Sequence, residues 1–431
     1  MKKIDAPLYN AVSSYAKTAP VRFHMPGHKG KFRCGLYKSA PYDVTELDFS
    51  DDLLNARGVI LEAEKKLAEV YGVDRAFMCT GGATSGLFSV LGAIKAYTDK
   101  VILSKNTHKS VFNAMSVLGI KPCFLEVDYR DGLPLPVSVD RVAEGIKNYP
   151  EAGAVLVTTP DYFGNVCDVE GIKNVIGDRL FVVDSAHGAH FVYADDLTCR
   201  AELLADMVVL SAHKTLPCFT GSAIITCRNE YAHDIMRARK LFHTSSPQYL
   251  CMISMDYTRA VFSKNKGHGY KKIQQFLKKY KFSKLNNYDY TKLVLRGGEK
   301  LSERLKKNGI YPECVCGDHV VLILTPGDEK YLKKVSKIAN QRSYETIREQ
   351  LNDTIRLEKA CEFSDCVGVG VEEVLIDDSV GRVLADEVGL YPPGVPLFFR
   401  GERISVECKE FMIKNKKRLF GVDSEYVNVL K

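Results

Sequence analysis

Two short apolar runs, each leading into reactive side chains, constrain this chain more than any other feature. The runs are Leu180 to Val183 and Met207 to Leu210, both within the segment from Leu180 to Thr226. Short runs rich in Val and Leu are typical of buried parallel strands, whose functional residues follow the carboxyl end. The first run leads to Asp184 and His187, and the second leads to Ser211, His213 and Lys214.

Asp184 and Lys214 follow the tips of two predicted strands, so they face one another across a crevice if those strands are neighbours. A carboxylate opposite a lysine suits pyridoxal phosphate, because a lysine holds its aldehyde as a Schiff base and an acid keeps its ring nitrogen protonated. The structural alternative is that Asp184 caps a turn and Lys214 lies on the surface. Ser211 and His213 beside the lysine, with the small residues 221–223 behind it, favour the cofactor.

A glycine-rich stretch from Thr80 to Gly86 separates a short apolar run from an apolar helical pattern. Such a turn presents backbone N–H groups and the positive end of the helix dipole, and the hydroxyls of Thr84 and Ser85 add donors. The stretch matches neither the P-loop nor G-x-G-x-x-G, and an ordinary strand-to-helix turn is the alternative. In combination with Lys214 it predicts a phosphate anchor.

Strand-like and helical segments alternate through the first two thirds of the chain, which predicts a mainly parallel sheet with helices on both faces. Polar residues follow these strands, and His108 is one of them, at the sheet end where ligands bind. From about Asn287 the pattern is that of a smaller α+β domain. The predicted division is a site-lining segment 1–55, a large cofactor-binding domain 56–260, a basic linker 261–290 and a small domain 291–431.

Charge and composition limit the kinds of partner. The formal net charge is +7, but much of the excess lies between Lys264 and Lys292, which we interpret as a solvated connection because no nucleic-acid motif accompanies it. No run approaches the length of a membrane span, and no signal peptide is visible. The thirteen cysteines are scattered, which favours reduced thiols and a cytoplasmic location. His187 and His190 have helical ligand spacing without a completing set, so no metal site is predicted.

Seven segments together resemble a known family. They are FHMPGHKG, TELDFSDDL, THKS, DSAHGAHF, SAHKTLP, HTSSPQY from His243, and YPPGVP with its trailing Gly401-Glu402. In this order they resemble the bacterial ornithine/lysine/arginine decarboxylases, pyridoxal-phosphate enzymes of the aspartate-aminotransferase fold. The likeness extends nearly from end to end, and its length matches the short members that lack an N-terminal wing domain.

The resemblance implies a fold-type I architecture with a seven-stranded sheet and decarboxylation of arginine, lysine or ornithine through a Schiff base on Lys214 and a quinonoid intermediate. It also implies a homodimer with shared active sites, so that Ser245 and Ser246 reach the partner subunit's cofactor. The implied cofactor contacts are Asp184 at the pyridinium nitrogen, His108 on the ring, His187 near the phenolic oxygen, Ser211 and His213 beside the phosphate, and Gly82, Ala83, Thr84 and Ser85 around it. Lys214, His213, Asp184 and His108 are the expected catalytic residues, and His28 and Glu402 are candidates for substrate contact.

Three positions depart from the family pattern: Ala83 stands where a hydroxyl residue is frequent, Gly221 where many relatives have glutamine, and Arg400 where proline is common. Two alternatives stay open. An aminotransferase or another lyase on the same fold shares Asp184 and Lys214, and a non-catalytic relative would bind the cofactor or a partner protein without turnover.

Overall fold

A computed structural model describes the chain in two compact units. The described residues are 4–22, 25–26, 28–29, 38–265, 267–280, 282, 284–285, 287–340, 355–390 and 395–431. The first unit comprises Met1–Ala93, Val182–Gln274 and Thr325–Gly327, and the second comprises Ile94–Phe181, Gln275–Leu324 and Asp328–Lys431.

Helices and strands alternate along most of the described chain. The helices are α1 (Pro7–Lys17), α2 (Val59–Tyr71), α3 (Gly82–Ile94), α4 (Lys109–Leu118), α5 (Val139–Asn148), α6 (Val169–Val175), α7 (Ala212–Thr215), α8 (Ala232–Phe242), α9 (Tyr249–Asn265), α10 (His268–Lys279), α11 (Gly298–Lys307), α12 (Leu332–Ala339) and α13 (Val406–Asn415). The strands are β1 (Arg75–Cys79), β2 (Lys100–Ser104), β3 (Lys121–Leu125), β4 (Tyr129–Arg130), β5 (Leu133–Pro134), β6 (Ala154–Thr158), β7 (Leu180–Ser185), β8 (Met207–Leu210), β9 (Ala223–Cys227), β10 (Lys292–Arg296), β11 (Cys314–Cys316), β12 (His319–Ile323), β13 (Glu358–Lys359), β14 (Val371–Leu375), β15 (Val388–Leu390), β16 (Val395–Phe398), β17 (Glu402–Arg403), β18 (Leu419–Phe420), β19 (Val422–Asp423) and β20 (Tyr426–Leu430).

The main sheet has seven strands in the order β1-β9-β8-β7-β6-β2-β3. In the first unit β7 and β8 are parallel, whereas β9 is antiparallel to both β8 and β1. In the second unit β2 is parallel to both β3 and β6. The predicted class, a mainly parallel seven-stranded sheet with helices, is confirmed, and so are the two apolar runs, which form β7 and β8.

Helix α2 follows a local pattern in its sequence. Its buried positions include Ile60, Ala63 and Leu67, which recur at helical spacing, and Gly72 follows in the left-handed conformation with φ +69°. The same helix also buries Glu64, whose carboxylate accepts a hydrogen bond of 2.9 Å from the backbone N–H of Met78 in β1. That buried carboxylate links α2 to the strand that leads into the glycine-rich turn.

Arg239 of α8 completes this attachment of β1. Its guanidinium donates to the carbonyl oxygen of Met78 at 2.7 Å and lies 3.5 Å from the carboxylate of Glu64. Since β1 is the first strand in the sheet order, these side chains supply partners for backbone groups that no further strand of that sheet can reach. The start of α3, which follows β1, is thereby held in place.

The second unit packs β2, β3 and β6 with α4, α5 and α6, followed by several small antiparallel sheets. Those sheets have the orders β10-β12-β11, β14-β20-β19 and β16-β15-β18. The second unit contains a cluster of aromatic rings, in which the ring of Phe399 is centred 4.9 Å from that of Phe112 and 4.7 Å from that of Phe124. The predicted smaller α+β domain at the C-terminal end is present.

Parts of two family segments fall outside the described residues, namely residues 23, 24, 27 and 30 of FHMPGHKG and residues 391–394 of YPPGVP. The sequence also has a helical pattern at 344–357, of which only 355–357 are described. Segment 261–290, predicted as a linker, contains the end of α9 and the whole of α10.

Among the helices that the structure describes, none is long and apolar enough to cross a membrane.

Candidate active site

Asp184 and the strand that leads to Lys214 are neighbours within the first unit. Strand β7 pairs in parallel with β8, with Asp184 opposite Val209 and Ser185 opposite Leu210. Parallel neighbours run in the same direction, so the residues that follow them lie at the same edge of the sheet. The adjacency on which the sequence hypothesis depends is therefore present.

Asp184 is a buried carboxylate, with 2% of the residue exposed. One of its oxygens accepts a hydrogen bond of 3.1 Å from the backbone N–H of Ala186. Burial raises the pKa of Asp184, while the positive charge of Lys214 acts in the opposite direction. A carboxylate in such a place stays ionised only beside a cation or a strong donor, and Lys214 is the nearby cation that this unit provides.

The amine of Lys214 is held against a buried imidazole. Its Nζ lies 3.3 Å from Nε2 of His187, and His187 is 6% exposed. An ammonium group donates at this distance to a neutral imidazole nitrogen. The single turn of α7 that carries Lys214 is anchored by the hydroxyl of Tyr270, which donates to the carbonyl of Thr215 at 3.2 Å.

His213 has a defined orientation next to the lysine. Its Nδ1 lies 3.0 Å from the carbonyl oxygen of Ser222 and 3.4 Å from the hydroxyl of Ser211. Because a carbonyl can only accept, Nδ1 carries a hydrogen there, which leaves Nε2 as the nitrogen that can accept or release a proton. A methyl group built on Gly82 would lie 4.0 Å from Cε1 of His213, so the ring borders the glycine-rich turn.

The glycine-rich turn forms the first residues of α3. Gly82 has φ +70°, and its N–H donates to the carbonyl of Gly221 at 2.8 Å. The following N–H groups, beginning with those of Ala83 and Thr84, belong to the first turn of a helix, where no intrahelical acceptor exists. The hydroxyl of Ser85 donates to the carbonyl of Gly82 at 3.0 Å, so its hydrogen is used within the turn. The backbone N–H groups at the start of α3 are thus better placed to bind an anion than the Ser85 hydroxyl is.

Gly221 was singled out in the sequence only as a departure, and the structure supplies a reason for it. Its φ is +100°, a value that side-chain-bearing residues rarely adopt, and a Cβ there would lie 2.9 Å from the backbone oxygen of Thr80. Glutamine would therefore be strained in this turn. The sequence did not predict the hydrogen bond between Gly82 and Gly221 or the contact between His213 and Ser222. The small-residue run 221–223 was the only signal for them that was noted.

The remaining candidates in the first unit lie in loops. His28 places Nε2 at 3.1 Å from the carboxylate of Asp43. Ser245 and Ser246 are exposed in the loop between α8 and α9, where the N–H of Ser246 donates to the hydroxyl of Thr244 at 3.1 Å. Their assigned contact with a partner subunit stays a prediction.

His108 and Glu402 belong to the second unit. His108 caps α4, because its Nδ1 accepts a bond of 3.2 Å from the N–H of Ser110. The carboxylate of half-buried Glu402 accepts a bond of 2.8 Å from the N–H of Phe399, and burial raises the pKa of Glu402 to about 7. The stacking role of His108 and the substrate role of Glu402 stay predictions.

Within the described residues, no group of three or more His, Cys, Asp or Glu could hold a metal ion.

The fold, with this set of residues past its parallel strands, is that of the fold-type I pyridoxal-phosphate enzymes. Among solved structures, a lysine decarboxylase of Francisella novicida matches 100% of the chain at a TM-score of 0.82 and 17% identity, with 82% of its own length covered. The constitutive lysine decarboxylase of Escherichia coli matches 99% of the chain at a TM-score of 0.81 and the same identity and coverage of 82%. Identities this low establish the fold alone.

The chain belongs to the ornithine/lysine/arginine decarboxylase family. The family model described as "Orn/Lys/Arg decarboxylase, major domain" matches residues 6–292, and that of the C-terminal domain matches residues 341–415. An arginine decarboxylase of Bacillus subtilis is 27% identical over 463 residues, which cover 96% of this chain and 94% of that protein. The protein is thus a decarboxylase, a carbon–carbon lyase, and the resemblance seen in the sequence is confirmed.

Proposed function

We propose that this protein binds pyridoxal 5'-phosphate at Lys214 and uses it to decarboxylate arginine, lysine or ornithine. The observation that carries the proposal is the meeting of Lys214, His187 and Asp184 past two parallel strands, with the lysine amine 3.3 Å from the buried imidazole. Family membership supports the reaction class.

The residues present fit the polar groups of this cofactor. A phosphate suits the start of α3, where Gly82 has φ +70° and a Cβ on the preceding Gly81 would lie 2.9 Å from the hydroxyl of Ser85. A pyridine nitrogen suits the buried carboxylate of Asp184, and an aldehyde suits the amine of Lys214. Ser211 and His213 would lie beside the phosphate, and His187 near the phenolic oxygen.

When bound, the cofactor supplies an aromatic ring that accepts the electron pair left by departing CO2. Asp184 would hold a proton at the ring nitrogen, and its burial among apolar residues would strengthen that charge pair. Lys214 Nζ or His213 Nε2 would return a proton to the substrate's α-carbon, since an amine and an imidazole are both groups that can transfer a proton.

The cationic end of the substrate needs an acidic partner, and Glu402 is our candidate. Its carboxyl is half-buried, so an incoming ammonium or guanidinium group would favour its ionised form. His28, with Asp43 at 3.1 Å, is a second candidate for substrate contact. His108 is proposed to stack on the cofactor ring.

The proposal also includes a homodimer in which Ser245 and Ser246 contact the partner subunit's cofactor. The exposure of both serines on one loop supports this, because an exposed loop is free to meet a second subunit.

The domain limits 1–55, 56–260, 261–290 and 291–431 remain our proposed division. The thirteen cysteines support a cytoplasmic location, where thiols stay reduced.

The deciding experiment supplies the purified protein with pyridoxal phosphate and, separately, arginine, lysine or ornithine, and measures CO2 and keto acid together. We expect CO2 and the matching amine from at least one substrate, without keto acid. Keto acid without CO2 would indicate an aminotransferase, and neither product from any of the three would indicate a non-catalytic relative.

A second experiment tests Lys214 without relying on turnover. Borohydride reduction of the protein with bound cofactor should leave the pyridoxyl group on the tryptic peptide that contains Lys214, which trypsin then fails to cut at that residue. Lys214→Ala should abolish the label, whereas the surface variant Lys240→Ala should retain it. A label that survives Lys214→Ala would refute the assignment.

A further inference from the structure

Cys361 and Cys366 in the second unit bring their sulfur atoms within 3.6 Å of each other. A disulfide bond is about 2.05 Å long, so the two sulfurs are in van der Waals contact and about 1.5 Å short of bonding. Cys361 is partly exposed, whereas Cys366 is buried. One thiol of the pair can therefore meet a dissolved reagent while the other is shielded.

A short capped turn holds the two cysteines in this arrangement. Residues Phe363–Cys366 form a single 3-10 turn, preceded by Glu362. The backbone N–H of Glu362 donates to the carboxylate of Asp365 at 3.0 Å, and the sulfur of Cys366 lies 3.5 Å from the carbonyl oxygen of Glu362. Because the turn is closed at both ends, the sulfur contact does not depend on a long flexible loop.

The surroundings assign different roles to the two thiols. Burial raises the pKa of Cys366 to about 12, so this sulfur remains a thiol near neutral pH and is a poor first target for an oxidant. The guanidinium of Arg400 acts in the opposite direction on the same thiol. Cys361, which solvent reaches, is the sulfur that an oxidant meets first.

We propose that Cys361 and Cys366 form a reversible dithiol–disulfide site that responds to peroxide. The Cys361 thiol attacks the peroxide, whose O–O bond breaks, so that Cys361 becomes a sulfenic acid and the peroxide is reduced to water or an alcohol. The sulfur of Cys366 then attacks that of Cys361, the S–O bond breaks, and the hydroxyl leaves with the Cys366 proton as water. A dithiol reductant returns both sulfurs to thiols.

The dithiol is joined to the segment that carries Glu402. The carbonyl of Gly401 accepts hydrogen bonds from the N–H groups of Ala360 at 2.7 Å and Cys361 at 3.2 Å. A Cβ on Gly401 would lie 3.3 Å from the sulfur of Cys361, so this sulfur lies beside the residue that precedes Glu402. An effect of oxidation on substrate binding therefore rests on the proposed function, whereas the disulfide itself does not.

Peptide mass spectrometry tests the disulfide directly. The intact protein is treated with hydrogen peroxide, its free thiols are alkylated under denaturing conditions, and it is digested with trypsin without reduction. Both cysteines fall on one expected peptide, residues 360–382, because no Lys or Arg separates them from its ends. We expect this peptide to lose two hydrogens and to carry no alkyl group, and to regain both alkylation sites when dithiothreitol precedes alkylation.

Cys314 and Cys316 provide an internal comparison in the same digest. Both are buried, and they share one tryptic peptide, residues 308–330. Because they are alternate residues of β11, their Cβ atoms stand about 6.6 Å apart along the strand, whereas a disulfide needs Cβ atoms about 3.5–4.5 Å apart. This peptide should keep both alkyl groups. If the two peptides oxidise equally, or if residues 360–382 stay fully alkylated, the proposal is wrong.

The variant Cys366→Ser tests the order of the two steps. Without the second thiol, the sulfenic acid on Cys361 should persist and react with dimedone, and Cys361→Ser should remove that label. Persistence of the label on Cys366 in Cys361→Ser, with none on Cys361 in Cys366→Ser, would overturn the assignment. These mass readouts do not use turnover, so failure of the decarboxylase proposal would leave them intact.

Discussion

Nζ of Lys214 lies 3.3 Å from Nε2 of His187, and each residue follows one of two parallel neighbouring strands. The closeness results from the sheet, because β7 and β8 end at the same edge and the turn after each is short. An ammonium group can only donate, so the imidazole nitrogen is the acceptor in this contact. The same geometry places the Lys214 charge where it counters the burial of Asp184.

Asp184→Asn should reduce kcat for decarboxylation by about 100-fold or more, because asparagine cannot hold a proton at the ring nitrogen of the cofactor. Asparagine still offers an oxygen to the N–H of Ala186, so the fold should persist, as circular dichroism and thermal unfolding can check. The matched control is Asp206→Asn, a buried carboxylate just before β8 that pairs with Arg228 at 3.2 Å. An equal loss of kcat in both variants would contradict the role of Asp184.

Gly221→Ala should weaken binding of pyridoxal phosphate by about tenfold or more. A methyl group would lie 2.9 Å from the backbone oxygen of Thr80, so the turn must shift, and with it the carbonyl that holds the N–H of Gly82. Gly177→Ala is the control, because Gly177 also has a positive φ, +62°, but nothing lies within 4 Å of the added carbon. It should lose about 1–2 kcal/mol of stability and keep its cofactor affinity, measured by fluorescence titration.

Glu402→Gln should raise KM for the basic amino acid by about 30-fold, equivalent to about 2 kcal/mol, and leave kcat less affected. Burial raises the pKa of Glu402 to about 7, so its carboxyl gains a proton as the pH falls through that value. KM of the unaltered protein should therefore increase below pH 7, while the glutamine variant should lack this dependence. The exposed Glu407→Gln serves as the control, and an unchanged KM in Glu402→Gln would exclude the substrate contact.

The free energy of unfolding should decrease in mild acid because of the buried side chain of His243. Burial lowers its pKa from 6.5 to about 4, with a smaller contribution from the nearby charge of Arg239. Between pH 6.5 and 4 the unfolded chain binds a proton that the folded chain does not, so stability falls with the pH, by at most about 3 kcal/mol. Urea unfolding at pH 7 and pH 5 should show a smaller decrease for His243→Gln than for the unaltered protein. His233→Gln, whose side chain is 75% exposed, should leave that decrease unchanged.

The strands around the site were predictable because their sequence signals are local. The runs Leu180 to Val183 and Met207 to Leu210 are uninterrupted apolar stretches, and they form the two neighbouring strands as expected. The helix from Val59 ends at Gly72, whose freedom to adopt φ +69° marks a stop that the sequence shows directly. Residues adjacent to such strands could therefore be assigned to one end of the sheet from order and spacing.

Contacts between distant residues were not predictable in the same way. The bond between Gly82 and Gly221 joins positions far apart in the chain, and no local pattern shows that a Cβ at position 221 would meet the backbone oxygen of Thr80. The capping bond of His108 and the internal bond of Ser85 are local, but they too were missed, because a side chain's partner is set by rotamer and packing. Sequence reasoning identified candidate residues here, but it could not identify their hydrogen bonds.

Arg400→Ala should lower the free energy of unfolding. Arg400 stands where proline is common in the family, and it forms a buried ion pair. Its guanidinium makes two bonds of 2.6 Å to the carboxylate of Glu387 and one of 2.9 Å to the side-chain oxygen of Asn113. Removing the guanidinium leaves the Glu387 carboxylate buried without its cation, which should cost about 3 kcal/mol in the free energy of unfolding.

Arg403→Ala is the comparison, because Arg403 is about half exposed and pairs with exposed Glu358 at 3.6 Å, a contact expected to contribute less than about 1 kcal/mol. The double variant Arg400→Ala with Glu387→Ala should recover part of the loss, since it removes the unpaired charge as well as its partner. Chemical denaturation of the four proteins measures these differences. If Arg400→Ala loses no more stability than Arg403→Ala, the pair is not a determinant of the fold, and the arginine at this position must be explained by something other than Glu387.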